Sequence, residues 1–310
     1  MMAAWPMGHR FAKRLRIEWR DLLELVLLPG LAVVLPWALC FRIFRWLSRK
    51  PWLYREASEH ALSQAAQRGW ADKPDAWLAM RKLVTLVDHA DYYLVRTRSM
   101  GWMKRHCDIS GVWPEPGKPA LLCTFHWGAG MWSLPHMAAS GLRVHALVAT
   151  LNSAHFAGRS VLHWYAKART RIVSRILGCN TLDVTASLRP VLRAYRQGDQ
   201  VLALLDVPAD QVSASQTITL HGMAAQVPRA LVRLAVDQSI PLTLFVAGFH
   251  ATDGRRFLKR MDFGVHADVD GLFKAIFAEL EQAMADNPAA WHFWGESERF
   301  FSAASEPVAR

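Results

Sequence analysis

Short apolar runs alternate with stretches of helical period along most of this chain, and no other feature limits its fold so tightly. The runs lie at residues 120–125, 144–149, 201–205 and 242–247. Each has the length of a strand and too little polar alternation for a half-exposed one, which is the pattern of strands buried on both faces. Helical patterns at 155–177, 187–196 and 228–238 separate them, the last with Pro228 near its first turn, and an amphipathic stretch at 272–285 follows. Such alternation predicts an α/β fold with a central mixed, largely parallel sheet flanked by helices. Residues 55–105 read as helical, with a second helix from about 77 to 95 after Pro74. The Pro- and Gly-rich stretch 111–119 reads as a loop into the first strand.

That first strand carries the chemistry. It runs directly into Phe125-His126-Trp127-Gly128-Ala129-Gly130-Met131-Trp132. Histidine at the C-terminal tip of a strand stands where α/β folds place their sites, and its imidazole can take a proton from a hydroxyl. Gly128 and Gly130 either offer backbone N–H groups to a developing oxyanion or simply make a tight strand-to-helix turn. No carboxylate follows the histidine; none occurs between Glu115 and Asp183.

A net charge of +11 and fourteen tryptophans predict a partner that is both acidic and greasy. Anionic membrane fits; nucleic acid does not, since the basic residues are dispersed and no nucleic-acid-binding motif is present. Residues 22–41 are almost wholly apolar and flanked by arginines on both sides. Twenty residues can just span a bilayer. Glu24, Pro29-Gly30 and Pro36 interrupt the run, however, so a re-entrant or surface-lying helical pair is the preferred reading, with a single span or a soluble helix as alternatives. This divides the chain into a membrane-associating segment, 1–50, and an α/β domain, 51–310. Cys40, Cys107, Cys123 and Cys179 are widely spaced and read as reduced thiols. No histidine spacing suggests a metal, so no cofactor is expected.

The order of these motifs resembles the bacterial lipid A late acyltransferases (the lauroyl/myristoyl transferase family) within the glycerolipid acyltransferase superfamily. The resemblance rests on the membrane-seeking N-terminus, the strand-His-x-Gly motif and the basic helix around Lys167–Gly178. Val201–Asp210, Val227–Ala235 and Ala290–Trp294 complete it. It implies acyl transfer from an acyl carrier protein thioester to a hydroxyl of a membrane lipid acceptor, at the cytoplasmic face of a bacterial inner membrane. On that resemblance His126 is the base, Arg171 and Arg175 are phosphate contacts, and Asp206 with Asp210 forms the later acidic motif. Met131 stands where the family has the carboxylate that orients the histidine. Three outcomes follow: Asp206 or Asp210 reaches His126 through space, the activity is slow or specialised, or the chain is an inactive binding or scaffold relative.

Overall fold

The computed structural model describes residues 7–148, 156–184, 187–208 and 215–301. Its six-stranded sheet is built on the four apolar runs. They become β2 (Ala120–Thr124), β3 (Val144–Ala146), β4 (Gln200–Leu204) and β7 (Leu242–Phe249), all mutually parallel and ordered β7-β2-β4-β3. Every residue of β2 and of β7 is buried, which is why neither run shows polar alternation. Two more strands extend the β7 side: β8 (Arg256–Gly264) antiparallel to β7, then β1 (Cys107–Ser110) parallel to β8. A separate antiparallel hairpin pairs β5 (Ser215–Leu220) with β6 (Met223–Pro228). Pro228 thus ends a strand rather than opening a helix.

The helices α7 (Ser133–Ala139), α8 (Ser160–Leu177), α9 (Arg189–Arg196) and α10 (Ala230–Asp237) connect the strands, and α11 (Val269–Asp286) follows β8. In the region read as helical, α4 (Arg55–Gln67), α5 (Pro74–Thr97) and α6 (Met100–Arg105) form, with Ser99 Oγ capping α6 by accepting from Trp102 N.

Residues 22–41 fold as two helical segments that meet at Leu35-Pro36. α1 (Met7–Leu22) runs through a π-helical turn, Leu23–Leu27, into α2 (Leu28–Val34), and α3 (Trp37–Leu47) begins after Pro36. Leu35 is extended, as the residue before proline prefers, and the helix stops there. Glu24, which interrupts the apolar run in sequence, is buried within the π-turn and accepts from Tyr54 N at 2.7 Å. The Tyr54 hydroxyl donates back to Glu24 O at 2.6 Å. Burial pushes the Glu24 carboxyl up, partly offset by the Tyr54 amide. Among the described residues no helix is long and apolar enough to cross a membrane. One hydrophobic core runs from Leu25 and Phe44 through α5 into the sheet, so the stretch from Leu25 to Leu47 packs against the α/β unit.

A buried ion pair ties this packing together. Arg256, at the start of β8, lies between the rings of Trp37 (4.0 Å) and Trp132 (4.8 Å) and pairs with Asp91 of α5. Trp37 Nε1 donates to Gly254 O at 3.0 Å. Gly254 has φ +74° and sits against the Phe41 ring, where a Cβ would collide.

Candidate active site

Parallel pairing explains how the site assembles. β2 and β4 are neighbours whose register matches Ala120 with Gln200 and Thr124 with Leu204, a constant offset of 80 residues. Leu205 N continues the ladder to Thr124 O at 3.0 Å. Two positions beyond the last paired residues, the same offset brings His126 beside Asp206. The chain leaves β2 toward β3 on one side, and after β4 it crosses to β7 on the other. The two residues therefore sit at a topological switch point, the crevice where open α/β sheets bind their ligands.

Asp206 is almost fully buried and collects four donated hydrogen bonds. His126 N reaches both carboxylate oxygens, at 2.8 and 2.9 Å. The ring Nδ1 lies 3.0 Å from Oδ1, and Trp291 Nε1 donates to Oδ2 at 2.9 Å. A carboxylate can only accept, so the ring proton belongs on Nδ1 and the lone pair on Nε2. The His126 side chain remains 31% exposed, with Phe293 edge-on to its ring at 4.3 Å. A fixed tautomer with an open Nε2 is the arrangement a general base needs.

The third wall comes from far along the chain. Residues 290–292 lie beside the histidine loop: Gly128 N donates to Ala290 O at 3.0 Å, and His292 N to His126 O at 2.7 Å. Trp127 and Trp291 form an antiparallel bridge. Arg81 of α5 clamps this strap from behind, donating to Trp291 O at 2.6 Å and His292 O at 3.1 Å. Burial brings Arg81 down to about 10, so it stays charged at neutral pH. Burial also brings His292 down to about 4, leaving it neutral there; its Nε2 then donates to Gly128 O at 2.8 Å. Two turns further along the same face of α5, Asp88 pairs with Arg169 at 2.7 Å, and next to it the Tyr165 hydroxyl meets His89 Nδ1 at 2.8 Å. Burial opposes ionisation of Asp88, but Arg169 outweighs it and holds the carboxyl well below its ordinary range.

The residues singled out in sequence fare differently. His126 and Asp206 come together. Gly128 has φ +70°, and its Cα faces the Ala247 carbonyl, leaving no room for a Cβ. Its N–H is taken by Ala290 and that of Ala129 by Ala247 O at 3.0 Å, so neither is left for an oxyanion. Gly130 starts a 3-10 turn, Gly130–Trp132, and is partly exposed. Arg171 and Arg175 share an exposed face of α8; the arginine that turns inward is Arg169. Asp210 lies outside the described residues. Met131 is a buried core side chain. Sequence reasoning missed Trp291 as a donor to Asp206 and Arg81 as its clamp. The dense aromatic run Trp291-His292-Phe293-Trp294 was the available signal. Among the described residues no three His, Cys, Asp or Glu side chains group as a metal site.

In comparisons with known proteins, no family model and no curated protein matches this chain.

Proposed function

We propose that this chain is a membrane-surface O-acyltransferase, similar in chemistry to the lipid A late acyltransferases, that moves an acyl chain from an acyl carrier protein thioester to a lipid hydroxyl. The observation that carries the reading is the His126–Asp206 pair: a buried, four-bonded carboxylate orienting an imidazole whose second nitrogen is open. In the reaction, Nε2 removes the acceptor hydroxyl proton as that oxygen attacks the thioester carbonyl. The tetrahedral adduct then expels the carrier thiolate, which recovers the proton from the imidazolium. Asp206 stabilises the cation between these steps. Against the inactive-scaffold alternative stands Asp206, which brings a carboxylate to His126 from 80 positions away.

The surface of the N-terminal helices supports the location. Leu15, Trp19, Val34, Leu39 and Trp46 remain 47% to 73% exposed, interleaved with exposed Lys13, Arg16, Arg42 and Arg49. Apolar side chains among cations suit the interface of an anionic bilayer.

Purified protein incubated with acyl carrier thioesters and a lipid extract tests the chemistry. Loss of a general base removes roughly 10²–10⁴-fold of rate, so His126→Ala should lower transfer by that factor. Equal transfer by parent and variant would reject the assignment. Met131→Glu provides a second check. Restoring the family's carboxylate at this position should not raise transfer, because Asp206 already occupies the partner role. It should instead lower the unfolding free energy, read in urea, by about 3 kcal/mol through burial of an unpaired charge. A faster enzyme would show that Asp206 does not serve.

A further inference from the structure

A cavity of about 640 Å³ opens where the C-terminal end of α3 meets the start of α5. Small-molecule sites typically span ~300–1,000 Å³. Its walls are of two kinds. Leu78, Ala79 and Leu83 make an apolar floor along α5, while Arg45, Arg49 and Lys82 set three positive charges against the single carboxylate of Asp75. Lys82 is almost wholly buried, its Nζ donating to Lys50 O at 2.8 Å. Burial lowers its pKa, the mark of a cation short of solvent. The first turn of α5 borders the same space, and no side chain caps it. Amide N–H groups without intrahelical partners at a helix start favour an anion.

This is not an extension of the His126 crevice. On α5, Arg81 and Asp88 are seven residues apart and share the face turned to the site, whereas Leu78, Ala79 and Lys82 line the cavity on another. The cavity instead adjoins the apolar surface. Trp46 and Trp52 stand next in sequence to the lining residues Arg45 and Pro51 and are 59% and 45% exposed.

We propose that the cavity binds one anionic phospholipid of the bilayer, its phosphate at Arg45, Arg49 and the start of α5 and an acyl chain along Leu78, Ala79 and Leu83. An amphiphile matches both walls at once, and the exposed tryptophans place the opening at the depth of lipid headgroups. The inference rests on the membrane-surface part of the reading above, and not on acyl transfer.

Native mass spectrometry of the full chain in detergent, titrated with phosphatidylglycerol or phosphatidylcholine, tests it. One phosphatidylglycerol should be retained per chain, and phosphatidylcholine should bind at least about tenfold more weakly. A charge-assisted hydrogen bond is worth about 1.5–3 kcal/mol, so the double change Arg45→Glu, Arg49→Glu should weaken retention at least about tenfold. Ala79→Trp, which fills the floor, should do the same. Arg193→Glu with Arg196→Glu, an equal charge reversal on the exposed face of α9, should leave retention unchanged. The first pair is at exposed positions, so it decides the matter even if Ala79→Trp fails to fold. Unchanged retention in the Arg45/Arg49 variant, or equal binding of the two lipids, would overturn the proposal. The readout is bound lipid, so failure here leaves the His126–Asp206 chemistry standing, and an inactive His126 variant should still retain the lipid.

Discussion

Asp206→Asn should lower the proposed acyl transfer by about 10³–10⁴-fold, the scale seen when the orienting carboxylate of a serine-protease triad is neutralised. The direction follows from donors and acceptors. All four hydrogen bonds at Asp206 are donated to it, by His126 N twice, by His126 Nδ1 and by Trp291 Nε1. An asparagine carries two N–H donors of its own on one side, and one of these must face a group that also donates. Relief comes most easily from the imidazole, which can move its proton from Nδ1 to Nε2. That tautomer accepts from the asparagine but presents N–H to the incoming hydroxyl, and a base with its lone pair turned away cannot remove a proton. The loss should therefore fall on kcat rather than KM, and the rising limb of the pH–rate profile should shift or vanish. Steady-state transfer across pH, with circular dichroism to verify the fold, measures this. A variant within about tenfold of the parent would mean that the pair is structural and another group takes the proton.

The largest effect on stability should come from Asp91→Ala. The ion pair between Asp91 and Arg256 is sealed from water: both side chains are at most 2% exposed. Burial pushes the Asp91 carboxyl up to about 6 even though Arg256 pulls the other way, so the desolvation cost here is high. Removing the carboxylate leaves the guanidinium stranded between Trp37 and Trp132, with Gly254 O as an acceptor. Breaking a buried pair in this manner costs about 3–5 kcal/mol, measured as a shift of the urea midpoint at constant slope. Because Trp37 also donates to Gly254 O, the N-terminal helices should loosen in the same transition. Replacing both partners, Asp91→Leu with Arg256→Met, should recover most of the loss, since an apolar pair carries no desolvation cost. If Asp91→Ala is tolerated within about 1 kcal/mol, solvent must reach Arg256 and the seam is not closed.

The N-terminal segment illustrates how composition and fold diverge. An apolar stretch of twenty residues invites a spanning helix, yet Pro36 divides it: α1 runs on through the π-turn that holds Glu24 into α2, and α3 starts afresh. Glu24 reads as a flaw in a membrane run. In the fold it is a buried acceptor for Tyr54, whose own backbone takes the left-handed conformation at φ +45°. Such a partner lies thirty residues away and leaves no local mark. β8 was equally hard to read, because Arg256-Phe257-Leu258-Lys259-Arg260 mixes charge into a strand that pairs on both sides. The β5–β6 hairpin is marked only weakly in sequence: burial alternates along Ser215–Leu220, but Gln216 is one of the inward residues, so polarity alternates only at its end.

Local periodicity was enough to place the parallel core and to put His126 at a strand tip, because burial on both faces writes itself into consecutive residues. It was also enough to mark Asp206 as a carboxylate at another strand's end. It left open whether the two meet. Strand order and register settle that: β4 lies beside β2 with Thr124 facing Leu204, and the ladder carries His126 to Asp206. The same long-range packing draws Trp291 to the carboxylate, turns Arg169 inward and Arg171 outward, and makes Met131 part of the core. Hydrogen bonds between residues 80 and 85 positions apart leave no trace in any short window of sequence, since either partner alone satisfies only the preferences of its own strand end.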